Sequence, residues 1–317
     1  MIMSRYPGLI SNQESTYIRL RIIRGKFIGK PKNQPPIILA SGRDEWVGWF
    51  ELEKEAIKET ATANTARIIE LINPDILCVV EAENRILLKH FNDTVLPNVH
   101  ASTFAHIMLI DGNDARGIDV GIMTKNLYEI VRINSHIDDQ DNNGTIFSRD
   151  CAEYEIHTAQ GNSILVLVNH FKSKGYGNSL DSNAKRLRQA TKVRSIYEQR
   201  IADGFEYIAV VGDLNAAPDE EAMLPLIGEN STLKDVMVHP KFLGDGRPGT
   251  HGNGTKSAKL DYILMSPKLF EKVAEANIER RGVWGGKNGT LFPHLPTILE
   301  AKDAASDHAA LWVDLDI

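Results

Sequence analysis

The sequence predicts an α+β fold in which sheets and helices form separate packed layers. Apolar runs of strand length and amphipathic stretches of helical period both recur along the chain, but they do not alternate strictly as strand, helix, strand. A doubly wound parallel sheet would require that alternation. The chain has 317 residues, of which 42% are hydrophobic, and no Pro/Gly/Ser-rich linker divides it. We therefore expect a layered α+β sandwich formed by a single domain over residues 1–317.

The individual elements follow from hydrophobic periodicity and from turn residues. Residues 51–72 carry small and apolar side chains at helical spacing and end at Asn73-Pro74, which predicts a helix. Short apolar or alternating runs bounded by polar turns predict strands. Strands are expected at 17–23, 37–40, 75–80, 104–110, 118–124, 128–133, 163–168, 207–211, 260–265 and 309–315, and further helices at 85–96 and 183–202.

The bulk composition narrows the functional classes. The net charge of −6 provides no global basic field, so any contact with a polyanion would depend on a local patch. Cys78 and Cys151 are too few for a disulfide framework, and no apolar stretch is long enough to predict a transmembrane helix. The N-terminus has no hydrophobic signal core, so the cytoplasm is the default expectation, and export stays open if the chain starts upstream of Met1.

Polar residues stand at the ends of several predicted strands. The apolar run 207–211 stops at Gly-Asp213-Leu-Asn215, and side chains two residues apart on an extended chain point the same way. A carboxylate and a carboxamide placed together suit phosphate ester chemistry, although the same residues also form an ordinary Asx turn. Comparable strand-end residues are Glu81, His170, Asp261, Asp307 and His308. Such a set offers oxygen ligands for Mg²⁺ together with an acid/base group for phosphodiester cleavage.

The motifs that carry these residues occur in a specific order. They are Asp75-Ile-Leu-Cys-Val-Val-Glu81, Val168-Asn-His170-Phe-Lys-Ser, Gly212-Asp-Leu-Asn215, Lys259-Leu-Asp261-Tyr-Ile-Leu and Ser306-Asp-His308. The series resembles the endonuclease/exonuclease/phosphatase superfamily, which includes deoxyribonucleases, abasic-site endonucleases, sphingomyelinases and inositol polyphosphate 5-phosphatases. The resemblance implies a four-layer α/β sandwich, in which two mainly antiparallel sheets pack face to face with helices outside.

The resemblance also implies roles for the motif residues. Glu81 matches the Mg²⁺ ligand, and Asp307 would face the metal side. Asp213 matches the residue that orients or activates the attacking water, and Asn215 its neighbouring donor to the phosphate. Mn²⁺ is an alternative to Mg²⁺ as the cation.

Three further residues complete the implied catalytic set. His308 resembles a histidine that contacts the scissile phosphate or acts as acid/base, and Asp261 the carboxylate that fixes its tautomer. His170 resembles the second histidine of the deoxyribonuclease and sphingomyelinase branches.

One expected feature is missing from the N-terminal part. Family members usually begin with a strand that ends in an asparagine and shares the metal with the glutamate, and Asn12 is a poor match to it. Either the chain starts upstream of Met1 or the first strand has diverged. Either case would weaken a Mg²⁺ site that has few direct protein ligands.

Substrate contacts are predicted from basic residues near the motifs. Lys172 and Lys174 follow His170 directly and could bind phosphate, with a solvated loop as the alternative. Arg188 lies on the basic predicted helix 183–202, whose charges a solvated outer face would also explain. Arg116 and Asp119 are candidate residues of the cleft rim, and structural turns account for them equally well.

The stretch from Asp139 to Asp150 is a separate candidate for metal binding. It has oxygen-bearing residues at positions 1, 3 and 5, Gly at 6 and an acid at 12, the spacing of a calcium loop. Its flanks read as strands rather than helices, so a polar hairpin insertion is the alternative interpretation.

These observations together predict a Mg²⁺-dependent phosphoesterase that hydrolyses phosphodiester bonds, with DNA or RNA as the first candidate substrate. Two alternatives stay open. One is a phosphodiesterase or phosphatase that acts on lipids or small phosphate esters. The other is a catalytically weak protein that binds a phosphate ligand.

Overall fold

The structure is a computed structural model that describes residues 18–42, 44–52, 59–114, 116–174 and 179–317. The chain divides into two compact units, residues 1–58 and 59–317, and each is described by itself. The single-domain expectation therefore stays a prediction.

The described residues of the first unit form two antiparallel strand pairs. Its strands are β1 (Ile18–Gly25), β2 (Ile28–Gly29), β3 (Ile37–Ile38) and β4 (Trp46–Leu52). β1 pairs with β4 and β2 with β3. The rings of Phe27 and Trp46 lie 4.6 Å apart and give this unit a small aromatic contact. Residues 51 and 52, predicted as helix, are the end of β4, and Asn12 lies outside the described residues.

In the second unit, the part that the structure describes forms two sheets, a separate strand pair and a hairpin. Its strands are β5 (Ile76–Ala82), β6 (His106–Ile110), β7 (Asp119–Thr124), β8 (Glu129–Asn134), β9 (Gln140–Asp141), β10 (Gly144–Thr145), β11 (Cys151–His157), β12 (Ser163–His170), β13 (Ile208–Asp213), β14 (Lys234–Asp235), β15 (Asp261–Met265), β16 (Val273–Glu279) and β17 (Ala310–Leu315). Its helices are α1 (Glu59–Ile72), α2 (Arg85–His90), α3 (Leu96–Asn98), α4 (Ser179–Ala202), α5 (Leu224–Ile227) and α6 (Pro267–Phe270).

The larger sheet has the order β14-β15-β13-β12-β11-β8, and only its β12–β13 pair is parallel. The smaller sheet, β5-β7-β6, is antiparallel throughout, and β16 pairs antiparallel with β17. Within the described part of the chain, β5 and β17 each pair with one strand neighbour only.

The alternation of side chains along the central strands creates the layers. Val166, Val168 and Val211 pack between the two sheets against Val120 and Ile122 of β7. Their sequence neighbours point the other way, where residues of β12 and β13 pack against α4. Each fully buried side chain of this size stabilises the fold by about 1.5–3 kcal/mol.

The outer face of the smaller sheet is covered by helices. Ala66 of α1 and Leu96 of α3 pack against Met123 of β7 in one buried cluster. The order of layers is therefore helices, small sheet, large sheet and α4. This arrangement confirms the predicted α+β fold with two mainly antiparallel sheets packed face to face and helices outside.

Some elements differ from the sequence prediction. The helix predicted at 85–96 is broken, because a π turn at Phe91–Val95 joins α2 to α3. Strands β11 and β16 were not predicted, because acids at alternate positions interrupt their apolar pattern. In β11 one of these acids, Glu153, is fully buried and paired with Arg200. No helix among the described residues is long and apolar enough to cross a membrane.

Candidate active site

Three predicted site residues stand side by side at one end of the large sheet. His170 of β12 is in register with Asp213 of β13, and Asp213 with Asp261 of β15. Each continues the inward-facing series of its strand, so the three side chains share one face. At Gly212, φ is 122°, and a Cβ would lie 1.9 Å from the carbonyl oxygen of Asn169. Glycine therefore lets β12 and β13 approach closely at this row.

Asp213 is held by the residue two positions on. The backbone N–H and the side-chain amide of Asn215 donate to the two carboxylate oxygens of Asp213, each over 2.8 Å. This is an Asx turn, and Asn215 adopts the left-handed region, with φ of 50°, which asparagine tolerates better than most residues. Burial and the charge of Asp261 raise the pKa of Asp213 to about 7. The carboxylate can thus exchange a proton near neutral pH.

Asp261 orients His308. Its Oδ2 lies 2.8 Å from Nδ1 of His308 and also accepts a 2.5 Å hydrogen bond from the hydroxyl of Thr250. Burial disfavours the charged imidazole, but the hydrogen bond and charge of Asp261 outweigh it and raise the pKa of His308 to about 9. His308 is therefore an imidazolium at neutral pH, with its Nε2–H available as a donor.

Glu81 lies opposite, at the end of β5. The register of β5 against β7 shifts between Val80 and Ala82, so Glu81 occupies a bulge, with φ of 62°. A positive φ is strained for glutamate, and such strain often accompanies function. The side chain of Glu81 is 59% exposed, and its Oε1 lies 3.8 Å from Nε2 of His170.

His170 is more buried than His308. Burial and the nearby Arg149 and Arg116 lower its pKa to about 3, so the ring is neutral at physiological pH. Its Nδ1 has no hydrogen-bond partner within the described part of the chain, whereas Nε2 lies 3.6 Å from Oδ2 of Asp213. A proton on Nε2 would face these carboxylates, which favours that tautomer.

A cavity of about 380 Å³ joins these side chains. Its lining residues are Glu81, His170, Ser173, Lys174, Asp213, Asn215, His251, Ser257, Ala258, Leu260, Asp307 and His308. The structure thus brings together the strand-end residues predicted from the sequence, with Asp261 immediately behind His308.

Two site residues were not predicted, Thr250 and His251. The Nε2 atom of His251 lies 3.3 Å from Oδ2 of Asp307, and ligand atoms of His251, Asp307 and His308 lie within 4.8 Å of one another. Both missed residues come from the glycine-rich stretch before β15, where a single histidine among turn residues is the only sequence signal.

Other predicted site residues have different partners. Arg188 donates to Asp141 and to the carbonyl of Gly144, so it clamps the β9–β10 hairpin, and we do not retain it as a substrate contact. Asp119 is buried and accepts a 2.7 Å hydrogen bond from the N–H of Gly112, which is a structural role. Lys174 lines the cavity and pairs with Glu220.

The calcium-loop prediction does not fit the arrangement of residues 139–150. Asp139 lies 3.0 Å from the ammonium of Lys192, and Asp141 is bonded by Arg188. Asp150 is buried and accepts from the N–H of His136. The carboxylates that calcium would need are therefore already bonded to protein cations or to a backbone N–H group. The alternative, a polar hairpin, is what the structure contains.

The cavity itself has the chemistry of a divalent-cation site. Glu81 and Asp307 line it together with Asp213, and the charges of Asp261 and Glu81 help to raise the pKa of Asp213. Such an excess of carboxylate oxygens favours a hard divalent cation. The residues present thus fit the group that the motifs imply.

Comparisons with known proteins identify the family of this chain. A family model described as the Endonuclease/Exonuclease/phosphatase family matches residues 38–275. A comparison with curated protein sequences gave no significant match.

Solved structures show a similar fold. Truncated TDP2 of Caenorhabditis elegans is 16% identical with a TM-score of 0.54, covering 80% of this chain and 88% of that chain. The mannosyl-6-phosphatase Bt3783 of Bacteroides thetaiotaomicron is 15% identical with a TM-score of 0.57, covering 82% and 91%. The human Nocturnin catalytic domain is 16% identical with a TM-score of 0.51, covering 70% and 77%.

The fold and the cavity define a phosphoesterase of the layered α+β type. The family match spans most of the chain, and the chain belongs to the endonuclease/exonuclease/phosphatase family. Enzymes of this family are hydrolases that act on phosphoester bonds, and they generally use divalent metal ions.

Proposed function

We propose that this protein is a Mg²⁺-dependent phosphodiesterase whose first candidate substrate is a nucleic acid strand. The observation that carries the proposal is the row His170, Asp213 and Asp261 across three adjacent strands, facing Glu81 and His308 in one cavity. A base, a protonated donor and carboxylate ligands around one space are what in-line hydrolysis of a phosphodiester needs.

Asp213 acts on the attacking water. Because its pKa is raised to about 7, it accepts a proton from water more readily than an ordinary carboxylate would. The 2.8 Å hydrogen bond from the amide of Asn215 fixes the orientation of the carboxylate. The second N–H of that amide can donate to a phosphoryl oxygen.

The two histidines serve as hydrogen-bond donors of different charge. His308 stays protonated through the charge of Asp261 and can donate to a phosphoryl oxygen or to the leaving group. His170 is neutral, and its Nε2–H is directed toward the side of the cavity formed by Glu81 and Asp213. Donors aimed at the phosphoryl oxygens stabilise the charge that develops there.

The cation would be held by Glu81, with Asp307 as the second predicted ligand. A bound Mg²⁺ or Mn²⁺ would polarise the phosphoryl group and offset its negative charge. Glu81 is suited to this role, because its bulged, exposed position leaves its carboxylate oxygens accessible in the cavity.

Two reagents distinguish the candidate functions. We would measure hydrolysis of bis(p-nitrophenyl) phosphate and of supercoiled plasmid with Mg²⁺, Mn²⁺, Ca²⁺ or EDTA. Cleavage of both substrates that EDTA abolishes is expected for a nuclease. Cleavage of the small ester alone would favour the phosphatase or lipid phosphodiesterase alternative. A folded protein that binds phosphate esters but turns over neither substrate would support the binding-protein alternative.

Two variants control for contaminating enzymes. Asp213→Asn removes the proposed base and should lower either activity by at least about 10²-fold. Asp316→Asn removes an exposed carboxylate just beyond the opposite end of β17, about 26 Å along the strand from His308, and should retain wild-type activity. Equal activity of the two variants would show that the measured hydrolysis does not come from this cavity.

A further inference from the structure

A group of five cationic side chains lies beside His170, outside the catalytic row. We call it the Arg149 patch, and its members are Arg116, Arg149, Lys172, Lys185 and Arg186. The overall charge of the protein is −6, so this patch is a local departure from the rest of the molecule.

The centre of the patch is attached directly to the active site. Arg149 is 2% exposed, and its guanidinium donates a 2.5 Å hydrogen bond to the carbonyl of Phe171, the residue after His170. The same carbonyl accepts from the amide of Asn215 over 3.3 Å. A buried cation bonded to the backbone beside two site residues fixes the geometry of the patch relative to the cavity.

The outer members of the patch are held by this centre. Asp114 lies 2.9 Å from Arg149 and 3.0 Å from Arg116, so one carboxylate serves two guanidinium groups. Lys185 donates a 2.8 Å hydrogen bond to the hydroxyl of Ser148, the residue before Arg149. Its partner there is neutral, so this contact leaves the charge of Lys185 in place.

Arg186, the fifth cation, adds to the excess of positive charge in the patch. Arg186 is buried, donates to the carbonyl of Lys172 over 3.0 Å and lies 3.8 Å from Glu220. Glu220 also pairs with Lys174, so its charge too is shared between cations. Burial, and after it the neighbouring cations, lower the pKa of both Lys172 and Lys185.

We propose that the Arg149 patch binds a second phosphate group of the substrate, next to the phosphate that is cleaved at the catalytic row. A guanidinium and ammonium groups pre-positioned by a buried scaffold suit a phosphate dianion or diester. The preferred substrate then carries phosphates on neighbouring units, as a nucleic acid strand does, rather than one isolated ester. This inference rests on the proposed phosphodiesterase function and specifies its substrate class.

The test compares substrates that differ by one phosphate. The dinucleotide TpT has a single phosphodiester, whereas pTpT and TpTp add a terminal phosphate on one side or the other. They are compared by kcat/KM, or by the inhibition constant against bis(p-nitrophenyl) phosphate if they are not cut. We expect one of the two phosphorylated forms to be preferred over TpT by about 10-fold or more, mainly through KM.

Two substitutions connect that preference to the patch. Lys185→Gln and Arg116→Gln, singly and together, should reduce the preference to about threefold or less. The slope of log kcat/KM against log salt for the phosphorylated dinucleotide should also become shallower by about one for each contact removed. Lys192→Gln is the matched control, because Lys192 lies on the same helix two turns, or about 10 Å, further along and pairs with Asp139.

The outcomes are distinguishable from failure of the proposed function. If wild-type protein hydrolyses bis(p-nitrophenyl) phosphate but discriminates equally poorly among the three dinucleotides, the second-phosphate site is wrong. The same holds if a preference exists and Lys185→Gln and Lys192→Gln change it alike. If no phosphodiester is hydrolysed under any metal condition, the proposed function fails first.

Discussion

Two buried carboxylates of the large sheet have opposite surroundings. Glu153 of β11 receives two charge-assisted hydrogen bonds from Arg200, at 2.6 and 2.7 Å, and lies 2.8 Å from Nε2 of His136. Burial opposes ionisation of Glu153, but these partners outweigh it and lower the pKa to about 2. Asp213 of β13 faces Asp261 and Glu81, and its pKa is raised to about 7.

The difference separates a structural acid from a functional one. Glu153 has its charge satisfied by cations that the fold itself supplies, so little is left for chemistry. Asp213 is bonded by the neutral Asn215, and its nearest charged neighbours include two acids. A fold that buries a carboxylate beside other acids, with only a neutral hydrogen-bond partner, loses stability at that position. Such a loss is common at active sites.

The largest expected effect is on turnover. Asp213→Asn should lower kcat for bis(p-nitrophenyl) phosphate by about 10³-fold, because the amide cannot accept the proton of the attacking water. Glu153→Gln should change kcat by less than about threefold when assayed well below its melting temperature. Steady-state kinetics with saturating Mg²⁺ measures both.

The contrast fails if Glu153→Gln loses activity to a similar degree while circular dichroism shows it folded. That result would mean that Glu153 also participates in the chemistry, and that pKa direction does not separate the two roles.

Glu153→Gln, which should leave turnover nearly unchanged, should have its large effect on the stability of the fold. Glu153→Gln leaves the guanidinium of Arg200 and the ring of His136 without their buried acid, which we expect to cost about 3 kcal/mol of unfolding free energy. Urea denaturation of the metal-free proteins measures this. Glu155→Gln is the matched control, since Glu155 lies on the same strand in a more exposed pair with Arg132 and should cost less than about 1 kcal/mol. Equal losses for the two variants would contradict the special role of the Glu153 network.

The second acid of the catalytic row should act through the histidine. In Asp261→Asn the pKa of His308 should fall from about 9 toward its ordinary value of 6.5. The imidazole then loses its proton between those values, so kcat should drop by about 30-fold near pH 8 and by much less near pH 6. A pH profile of kcat tests this. A loss that is constant across the profile would mean that Asp261 positions the ring without keeping it protonated.

Much of the fold could be predicted from the sequence, because its central strands are long apolar runs that end at polar residues. The prediction failed where tertiary partners override the local pattern. β11 places a glutamate at a buried position, which is tolerated because Arg200 comes from a helix about 50 residues away in sequence. Glu51 and Leu52 continue β4 because their strand pairs with β1, a contact that helical periodicity does not reveal.

The candidate site could be predicted in part for a similar reason. Strand ends are visible in a sequence, so Glu81, His170 and Asp213 could be selected one by one. They meet because of the strand order, in which β12, β13 and β15 are neighbours although α4, α5 and β14 intervene along the chain. Thr250 and Arg149 were missed because their roles arise from hydrogen bonds to Asp261 and Phe171, which leave no pattern in the surrounding residues.

The smallest expected effect is a pH-dependent gain in stability. The pKa of Asp213 is higher in the folded protein than its ordinary value of 3.8, so the folded state keeps a proton that the unfolded chain loses as pH rises from about 4 to about 7. Stability should therefore fall over that range in EDTA, and Asp213→Asn should remove this loss. For Glu153 the sign is reversed, because its lowered pKa stabilises the fold above its ordinary value of 4.5 and that contribution is lost toward pH 2.

We expect Asp213→Asn to be more stable than wild type by at least about 1 kcal/mol near pH 8 and by much less near pH 5. Urea denaturation of both proteins at the two pH values checks this difference. An equal difference at both pH values would mean that Asp213 is not under electrostatic strain in the metal-free protein.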